Sequence, residues 1–423
     1  MMRPNGQRSF LRTKYSTRSW CIILVRFPSL WSIVRPYSLF HVGQKEEIEP
    51  KVRYQVKEGD IGDGNGEGYD RLAALKEFDE SKTGVRGLVE SGVTTIPPIF
   101  RHPDLRPSAV PAAYPDDLSI PTIDLSLPRP RAVDLIRAAS RDWGFFQITN
   151  HGISLPVLDR TIAAVRSFHE LPPAERSKYY SRSPAGGVSY SSNVDLYRSS
   201  AASWRDTVQV MMGPARPELD RIPAACRAEL LAWDEHVTEV GRAVLGMMAE
   251  GLGLGPGRFE AMTCLEGKTM VCHYYPPCPE PDLTVGIADH TDPGVLTVLV
   301  QDHIGGLQVK RKGEDGECYW VDVKPLPGAL VINVGDLLQM ISNDEYKSVE
   351  HRVVANSHQE ARVSIAVFFN PGKRGESDFY GPLQELVSPE KPSRYRNFTI
   401  SEFMRTFFGK QLASKSLIDH FKS

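Results

Sequence analysis

Residues 269–309 read TMVCHYYPPCPEPDLTVGIADHTDPGVLTVLVQDHIGGLQV, and this stretch decides the fold. Short runs rich in β-branched and aromatic residues alternate here with Gly, Pro and Asp, which is typical of strands joined by turns. Comparable runs continue towards the C-terminus. Seven strands are predicted: Thr269–Tyr275, Val295–Gln301, Leu307–Val309, Tyr319–Val323, Ala329–Val334, His351–Ala355 and Arg362–Phe369. Short strands at this spacing indicate an all-β sandwich or barrel.

The sequence before residue 267 predicts mainly helices. Apolar residues recur at helical spacing in four segments: 69–80, 131–143, 156–170 and 223–251. Short strands are expected at 120–125 and within WGFFQITNHG at 143–152. Helices first and strands afterwards predict an α+β chain whose β core lies in the C-terminal half.

Length, charge and cysteine content narrow the function classes. The chain has 423 residues and a formal net charge of −2, which gives no general reason to expect nucleic acid as a partner. The longest apolar run of the N-terminal segment, residues 20–25, is far shorter than the ~20 residues that span a bilayer, so no membrane partner is expected. The six cysteines form no CxxC pair and are interpreted as free thiols in a reducing compartment.

Residues 1–45 contain eight basic residues and no acidic one. This composition is typical of a mitochondrial or plastid transit peptide. A misassigned gene start would give a similar sequence, and both interpretations stay open. We therefore expect a cytoplasmic protein, or a mitochondrial or plastid one if the extension is a genuine transit peptide.

His290 and Asp292 form an H-x-D motif around Thr291. On an extended segment, residues two apart point to the same face, so the imidazole and the carboxylate can approach a common point. His351, at the start of a later β-like run, could supply a third ligand. Two histidines and one carboxylate on one face of a metal form the facial triad of non-haem Fe(II) oxygenases. Taken alone, H-x-D is equally compatible with a solvated turn.

Arg362 and Ser364 are a second pair that lies two apart on a predicted strand. The next residues, IAVFF, are apolar, so the strand is expected to be buried, and a buried guanidinium requires an anion. Arginine can bind a carboxylate through two parallel hydrogen bonds, and serine adds a further donor. The pair therefore predicts a carboxylate-binding site.

Alternation in TMVCHYYPPCP places Val271, His273 and Tyr275 on one face of the first strand. The Tyr275 hydroxyl could complete the carboxylate site. We interpret His273 as a buried core or pocket residue rather than as a fourth metal ligand.

Several stretches resemble the plant 2-oxoglutarate/Fe(II)-dependent dioxygenase superfamily. They read WGFFQITNHGI, HYYPPCPEPDLTVG, HTDPGVLTVLVQDHIGGLQV, PGALVINVGDLLQMISNDEYKSVEHRV and RVSIAVFF. The upstream block YDRLAALKEFDESKTGVRGLVESGVTTIPPIF is similar to a branch that contains the 1-aminocyclopropane-1-carboxylate oxidase homologues and the deacetoxyvindoline 4-hydroxylase-like enzymes. The resemblance extends over residues 68–420.

This resemblance implies an α+β fold with a double-stranded β-helix (jelly-roll, cupin-like) core and flanking helices. It implies three Fe(II) ligands: His290, Asp292 and His351. It implies three residues that bind the distal carboxylate of 2-oxoglutarate: Arg362, Ser364 and Tyr275. The expected substrate-pocket residues are Phe368, Val271 and His273. Phe368 could equally be core packing, and many relatives have Asn in place of His273.

The implied organisation has six parts. They are an atypical N-terminal extension (1–45), an N-terminal helix and Pro-rich connector (46–118), an N-terminal dioxygenase region (119–225), a long helix (226–265), a jelly-roll Fe(II)/2-oxoglutarate domain (266–375) and a C-terminal helical tail (376–423).

The implied activity is the oxidation, and most simply the hydroxylation, of a small plant specialised metabolite by a monomer. 2-Oxoglutarate and O₂ are co-substrates, ascorbate is the expected reductant, and succinate and CO₂ are released. The main cycle requires no protein general base, so no catalytic residue is expected beyond the metal ligands.

Three other functions remain open from the residues alone. A true 1-aminocyclopropane-1-carboxylate oxidase shares the iron triad but uses ascorbate in place of 2-oxoglutarate. A non-catalytic jelly-roll binding protein would have lost its metal. A zinc hydrolase would leave Arg362 and Ser364 without a role.

Overall fold

Two β-sheets form the centre of the protein, seen in a computed structural model that describes residues 69–103, 118–313, 316–409 and 416–423. All of these residues belong to one unit, Gly66–Ser423. The extension at 1–45 and much of the predicted Pro-rich connector lie outside the described residues.

The strands are β1 (Thr122–Asp124), β2 (Phe145–Thr149), β3 (Val188–Ser191), β4 (Asp206–Gly213), β5 (Gly267–Tyr275), β6 (Val285–His290), β7 (Leu296–Gln301), β8 (Leu307–Lys312), β9 (Cys318–Asp322), β10 (Leu330–Val334), β11 (His351–Val354), β12 (Arg362–Asn370), β13 (Phe379–Tyr380) and β14 (Phe398–Thr399). The larger sheet has the order β1-β2-β10-β7-β12-β5-β4-β3, and the smaller one has the order β6-β11-β8-β9. Within these two sheets only β1 and β2 pair in parallel.

The helices are α1 (Arg71–Ser81), α2 (Gly84–Glu90), α3 (Arg129–Asp142), α4 (Leu155–His169), α5 (Pro173–Arg176), α6 (Ala224–Gly251), α7 (Arg258–Ala261), α8 (Asp336–Ile341), α9 (Ile400–Phe408) and α10 (Ser416–Asp419). The long helix α6 packs against α3 and α4, and its apolar residues join the main hydrophobic core. None of the described helices is long and apolar enough to cross a membrane.

The seven predicted C-terminal strands and the four predicted helices are all present, with ends shifted by one to three residues. Strands β3, β4 and β6 were not predicted. The sequence of β6, VGIADH, is short and ends in polar residues, so it lacks the apolar alternation of a strand. The C-terminal segment, which was expected to be helical, also contains the two-stranded sheet of β13 and β14.

Strand β12 lies near the middle of the larger sheet, between β5 and β7. Its residues are almost all buried, as IAVFF predicted, because the sheet is covered on one side by helices and on the other by the smaller sheet. A smaller apolar cluster fills the space between the two sheets, and the candidate site lies at its edge.

Candidate active site

The two histidines of the predicted triad lie on neighbouring strands of the smaller sheet. His290 is the last residue of β6, His351 is the first residue of β11, and the two are direct partners in the antiparallel register. Asp292 lies two residues beyond the end of β6. Only the first residue of the motif therefore belongs to a strand, whereas the alternation argument assumed one extended segment for both.

Hydrogen bonds to the backbone orient both imidazole rings. The Nδ1 atom of His290 lies 2.9 Å from the carbonyl oxygen of Ala288, and that of His351 lies 3.1 Å from the carbonyl oxygen of Val349. A carbonyl can only accept, so each Nδ1 carries a proton and Nε2 is the nitrogen of each ring that is left for a metal. Both Nε2 atoms lie 3.6 Å from Oδ1 of Asp292.

The carboxylate of Asp292 is held through its other oxygen. Oδ2 accepts hydrogen bonds from the hydroxyl of Thr297 at 2.6 Å and from Nδ2 of Asn333 at 2.7 Å. These two donors leave Oδ1 directed at the imidazoles. Carboxylate and imidazole ligands are normally fixed by such outer contacts in metal sites.

The charge states also suit a divalent metal. Burial, followed by the positive charge of His351, lowers the pKa of His290 to about 4, so this imidazole is neutral near pH 7. Burial alone would raise the pKa of Asp292, but the two histidines and the hydrogen bonds from Thr297 and Asn333 outweigh burial and hold it below its usual value. The cluster thus offers a neutral imidazole at His290 and a carboxylate at Asp292, with Nε2 of His351 beside them.

One ligand atom from each of His290, Asp292 and His351 lies within 4.8 Å of the others, and the described residues contain no second cluster of this kind. Their free Nε2, Nε2 and Oδ1 atoms match the ligand set of a facial Fe(II) site. The residues present therefore fit an iron ion.

Arg362 and Ser364 lie on β12, directly across from Tyr275 and His273 of β5. Arg362 is 2% exposed, and its guanidinium donates to Oγ of Ser364 at 3.1 Å and to Oε1 of Gln301 at 2.9 Å. It also lies over the ring of Tyr275, with 4.8 Å between Cζ and the ring centroid.

This arginine has no acidic partner among the described residues, and its Nε and the Tyr275 hydroxyl are buried without a hydrogen-bond acceptor. Buried donors without acceptors are costly, and an incoming carboxylate would satisfy them. The geometry therefore fits the carboxylate site that the sequence predicted.

A cavity between the two sheets, which we call the inner cavity, joins the metal cluster to the carboxylate site. Its lining includes all three triad residues together with Tyr275, His273, Arg362, Ser364 and Phe368. His273 is 9% exposed and its Nδ1 lies 3.0 Å from the hydroxyl of Thr207. Burial and the nearby Arg205 and Arg362 lower its pKa well below the usual value, so it is a neutral wall residue.

A second cavity of about 300 Å³, which we call the outer cavity, meets the inner one at His290, Asp292 and Phe368. Val271 also lines the outer cavity, whereas His273 lines the inner one. The predicted substrate residues are thus divided between the two spaces. Helix α9 contributes Met404, Phe407 and Phe408 to the outer cavity.

A cavity of about 790 Å³ lies beside α4, and none of the triad residues lines it. It reaches Gln301, the neighbour of Arg362, but we assign the chemistry to the inner and outer cavities because both are lined by residues of the metal cluster.

Sequence reasoning missed Thr297, Asn333, Gln301 and Arg205. Thr297, Asn333 and Gln301 lie on predicted strands, but only strand order shows that their side chains point at Asp292 or Arg362. Arg205 directly precedes β4, in a segment without clear periodicity.

Comparison with known proteins decides the family. Residues 266–371 match the 2OG-Fe(II) oxygenase superfamily, and residues 120–225 match the model described as "non-haem dioxygenase in morphine synthesis N-terminal". The 1-aminocyclopropane-1-carboxylate oxidase homolog 3 of Arabidopsis thaliana is 45% identical over 365 residues, which cover 84% of this chain and 97% of that protein. The chain belongs to the 2OG-Fe(II) oxygenase superfamily.

Solved structures of other oxygenases have the same fold. The structure of JOX2 in complex with 2OG, Fe, and JA has a TM-score of 0.70 and 32% identity, and the match covers 80% of this chain and 97% of that one. A rice dioxygenase for auxin oxidation has a TM-score of 0.59 and 28% identity, with coverage of 72% and 100%. The 2OG-Fe(II) oxygenase described here is therefore an Fe(II)- and 2-oxoglutarate-dependent dioxygenase with a jelly-roll core.

Proposed function

We propose that this oxygenase hydroxylates a small plant specialised metabolite, with release of succinate and CO₂. One observation carries the proposal: the inner cavity holds three convergent ligand atoms and, beside them, a buried guanidinium without an acidic partner among the described residues. The first feature suits Fe(II), and the second suits the far carboxylate of a dicarboxylic keto acid.

The iron would be held by Nε2 of His290, Nε2 of His351 and Oδ1 of Asp292. When bound, it supplies O₂ activation coupled to oxidative decarboxylation of the keto acid. Thr297 and Asn333 keep the carboxylate oriented by occupying its second oxygen. Both donors belong to strands of the larger sheet, which supports their positions beside the carboxylate.

Arg362, Ser364 and Tyr275 would bind the distal carboxylate of 2-oxoglutarate. Hydrogen bonds from the guanidinium would orient the keto acid, with its opposite end towards the metal cluster. The walls between these groups are apolar and include Ile287, Leu299 and Val353. They exclude water from the reacting end.

The substrate would enter through the outer cavity, whose volume suits a small organic molecule. The relatives named above are plant proteins, which supports a plant metabolite. The small-molecule complex of the JOX2 structure supports the same class of partner.

Succinate release in the presence of a panel of plant metabolites tests the proposal. A hydroxylated product contains one additional oxygen atom by mass spectrometry, whereas desaturation removes two hydrogens.

Asp292→Ala should abolish succinate release and keep the circular dichroism spectrum of the folded protein. Arg362→Lys should raise the 2-oxoglutarate concentration that the enzyme requires, because lysine cannot make the bidentate contact. Wild-type succinate release by Asp292→Ala, or an unchanged 2-oxoglutarate requirement in Arg362→Lys, would contradict these assignments.

Ascorbate as reductant, a monomeric state, the absence of nucleic-acid and membrane partners, and a cytoplasmic location stay predictions. Import of a full-length fluorescent fusion into plastids or mitochondria would favour the transit-peptide interpretation of residues 1–45.

A further inference from the structure

The outer cavity contains two arginines that neither the iron site nor the 2-oxoglutarate site uses. Arg205 directly precedes β4, and Arg198 lies in the loop between β3 and β4. Neither guanidinium forms an ion pair with a carboxylate among the residues that the structure describes.

Arg205 is the better buried of the two, with 7% of its surface exposed. Its Nη1 donates to the carbonyl oxygen of Gly286 at 2.8 Å, which fixes the guanidinium against β6. Its Nε is buried without an acceptor. A buried charge that lacks a counter-ion is costly, so a bound anion would stabilise this side chain.

Arg198 is half-buried and donates to the carbonyl oxygen of Phe408 at 3.0 Å. This contact fixes its guanidinium beside the end of α9. The remaining donors of Arg198 have no other partner among the described residues, so they are free for a ligand.

Two carboxylates outside the triad also line the outer cavity. Asp195 accepts a hydrogen bond from the hydroxyl of Ser199, and Oδ2 of Asp336 accepts one from Thr291 at 3.0 Å. No ion pair joins either carboxylate to Arg198 or Arg205 among the described residues, so both guanidiniums keep donors for a ligand.

The rest of the lining is largely apolar and includes Val271, Phe368, Met404 and Phe407. We propose that the substrate of this enzyme is an organic anion with an apolar body, bound through Arg205 and Arg198 while the body packs against these side chains. The inference deepens the proposed function and rests on it, because the anchored end determines which carbon faces His290 and Asp292.

The test uses 3-phenylpropanoate and its neutral analogue 3-phenylpropanamide as probes. Their binding is measured by calorimetry on the full chain, both with anaerobic Fe(II) and 2-oxoglutarate and without them. We expect the acid to bind at least about tenfold more tightly than the amide, because a buried charge-assisted pair is worth that much or more. Arg205→Gln should remove this preference, and Arg205→Lys should retain part of it.

Arg242→Gln is the matched control, since Arg242 lies on the surface of α6 and pairs with Glu239 and Glu260. It should keep the full preference. If Arg205→Gln does not fold, Arg198→Gln serves in its place and should reduce the preference. Equal binding of acid and amide, no binding of the acid, or an unchanged preference in these variants would overturn the inference. Failure to bind Fe(II) and 2-oxoglutarate would overturn the proposed function. Because the preference for the acid is also measured without these cofactors, that failure can be distinguished from failure of the anion site.

Discussion

Thr297 shows how much one hydroxyl group contributes to the candidate iron site. It is buried on β7 and donates to Oδ2 of Asp292 at 2.6 Å, which leaves Oδ1 free for the metal. Thr297→Val keeps the shape of the side chain and removes this donor. We expect Fe(II) affinity to fall by about tenfold or more, as is usual when an outer hydrogen bond to a metal ligand is lost.

Anaerobic Fe(II) titration measures this effect, and Thr297→Ser is the matched control because it keeps the hydroxyl. Equal iron affinity in Thr297→Val and the wild type would show that Asn333 alone orients the carboxylate.

His169 predicts an acid-sensitive native state. Its ring is fully buried against Tyr274, and neither ring nitrogen has a partner among the described residues. Burial, with the positive charges of Arg176 and Arg86, lowers the pKa of His169 to about 3. An unfolded imidazole titrates near 6.5, so between these values the unfolded state binds more protons and the free energy of unfolding falls as the pH falls.

His169→Phe removes this proton linkage and keeps an aromatic ring. Its free energy of unfolding should therefore fall less steeply below about pH 6, by up to about 1.4 kcal/mol per pH unit. Urea denaturation at several pH values measures the slope. A slope identical to that of the wild type would mean that other groups cause the acid sensitivity.

At the scale of elements, helix α1 supports the loop that carries the outer-cavity arginines. Phe78 of α1 packs edge-on against Phe100, with ring centroids 5.3 Å apart, and Phe100 packs against Trp204 at 5.0 Å. Trp204 immediately precedes Arg205. This chain of rings gives the upstream block, which the sequence linked to a branch of the family, a structural role beside the outer cavity.

Phe78→Ala should loosen the loop of residues 193–205, because truncating a buried Phe typically costs about 3–5 kcal/mol. Hydrogen exchange should speed up in that loop and stay unchanged in β5 and β12. Leu72→Ala on the exposed side of α1 is the control, since Leu72 is 63% exposed. Two results would contradict a local supporting role: faster hydrogen exchange throughout the fold, or an unchanged exchange rate in the loop.

The helices and strands that were predicted from the sequence are those in which apolar residues recur with a strong period. Strand β12 and helix α6 have long apolar patterns, and their positions agree with prediction within a few residues. Strand β6 was missed because its sequence gives no such pattern, although it ends in His290. Motif spacing identified this histidine, while the pairing of His290 with His351 required knowledge of which strands are neighbours.

At the scale of the whole molecule, the site forms where residues distant in sequence meet between two sheets. The family resemblance named the residues, but the distances and the hydrogen bonds that orient each ligand come only from the structure. Of the outer cavity beyond His290 and Asp292, the sequence predicted only Val271 and Phe368, because much of the remaining lining comes from the loop before β4 and from helix α9. These segments share no local sequence signal.

The described cysteines agree with the expected free thiols: Cys226, Cys264, Cys272 and Cys278 are buried and unpaired, and Cys318 is exposed and unpaired. The described fold therefore depends on its hydrophobic core rather than on covalent cross-links. Bound Fe(II) and 2-oxoglutarate should add stability in proportion to the logarithm of their concentrations.

The most direct test of the account is an anaerobic titration of the metal-free protein with Fe(II) and then 2-oxoglutarate, followed by visible absorption. We predict a metal-to-ligand charge-transfer band that grows only when both are present, because the keto acid then chelates iron held by His290, Asp292 and His351. The band should require a higher 2-oxoglutarate concentration in Arg362→Lys. Iron binding without a band would contradict the 2-oxoglutarate site, and no iron binding would contradict the triad itself.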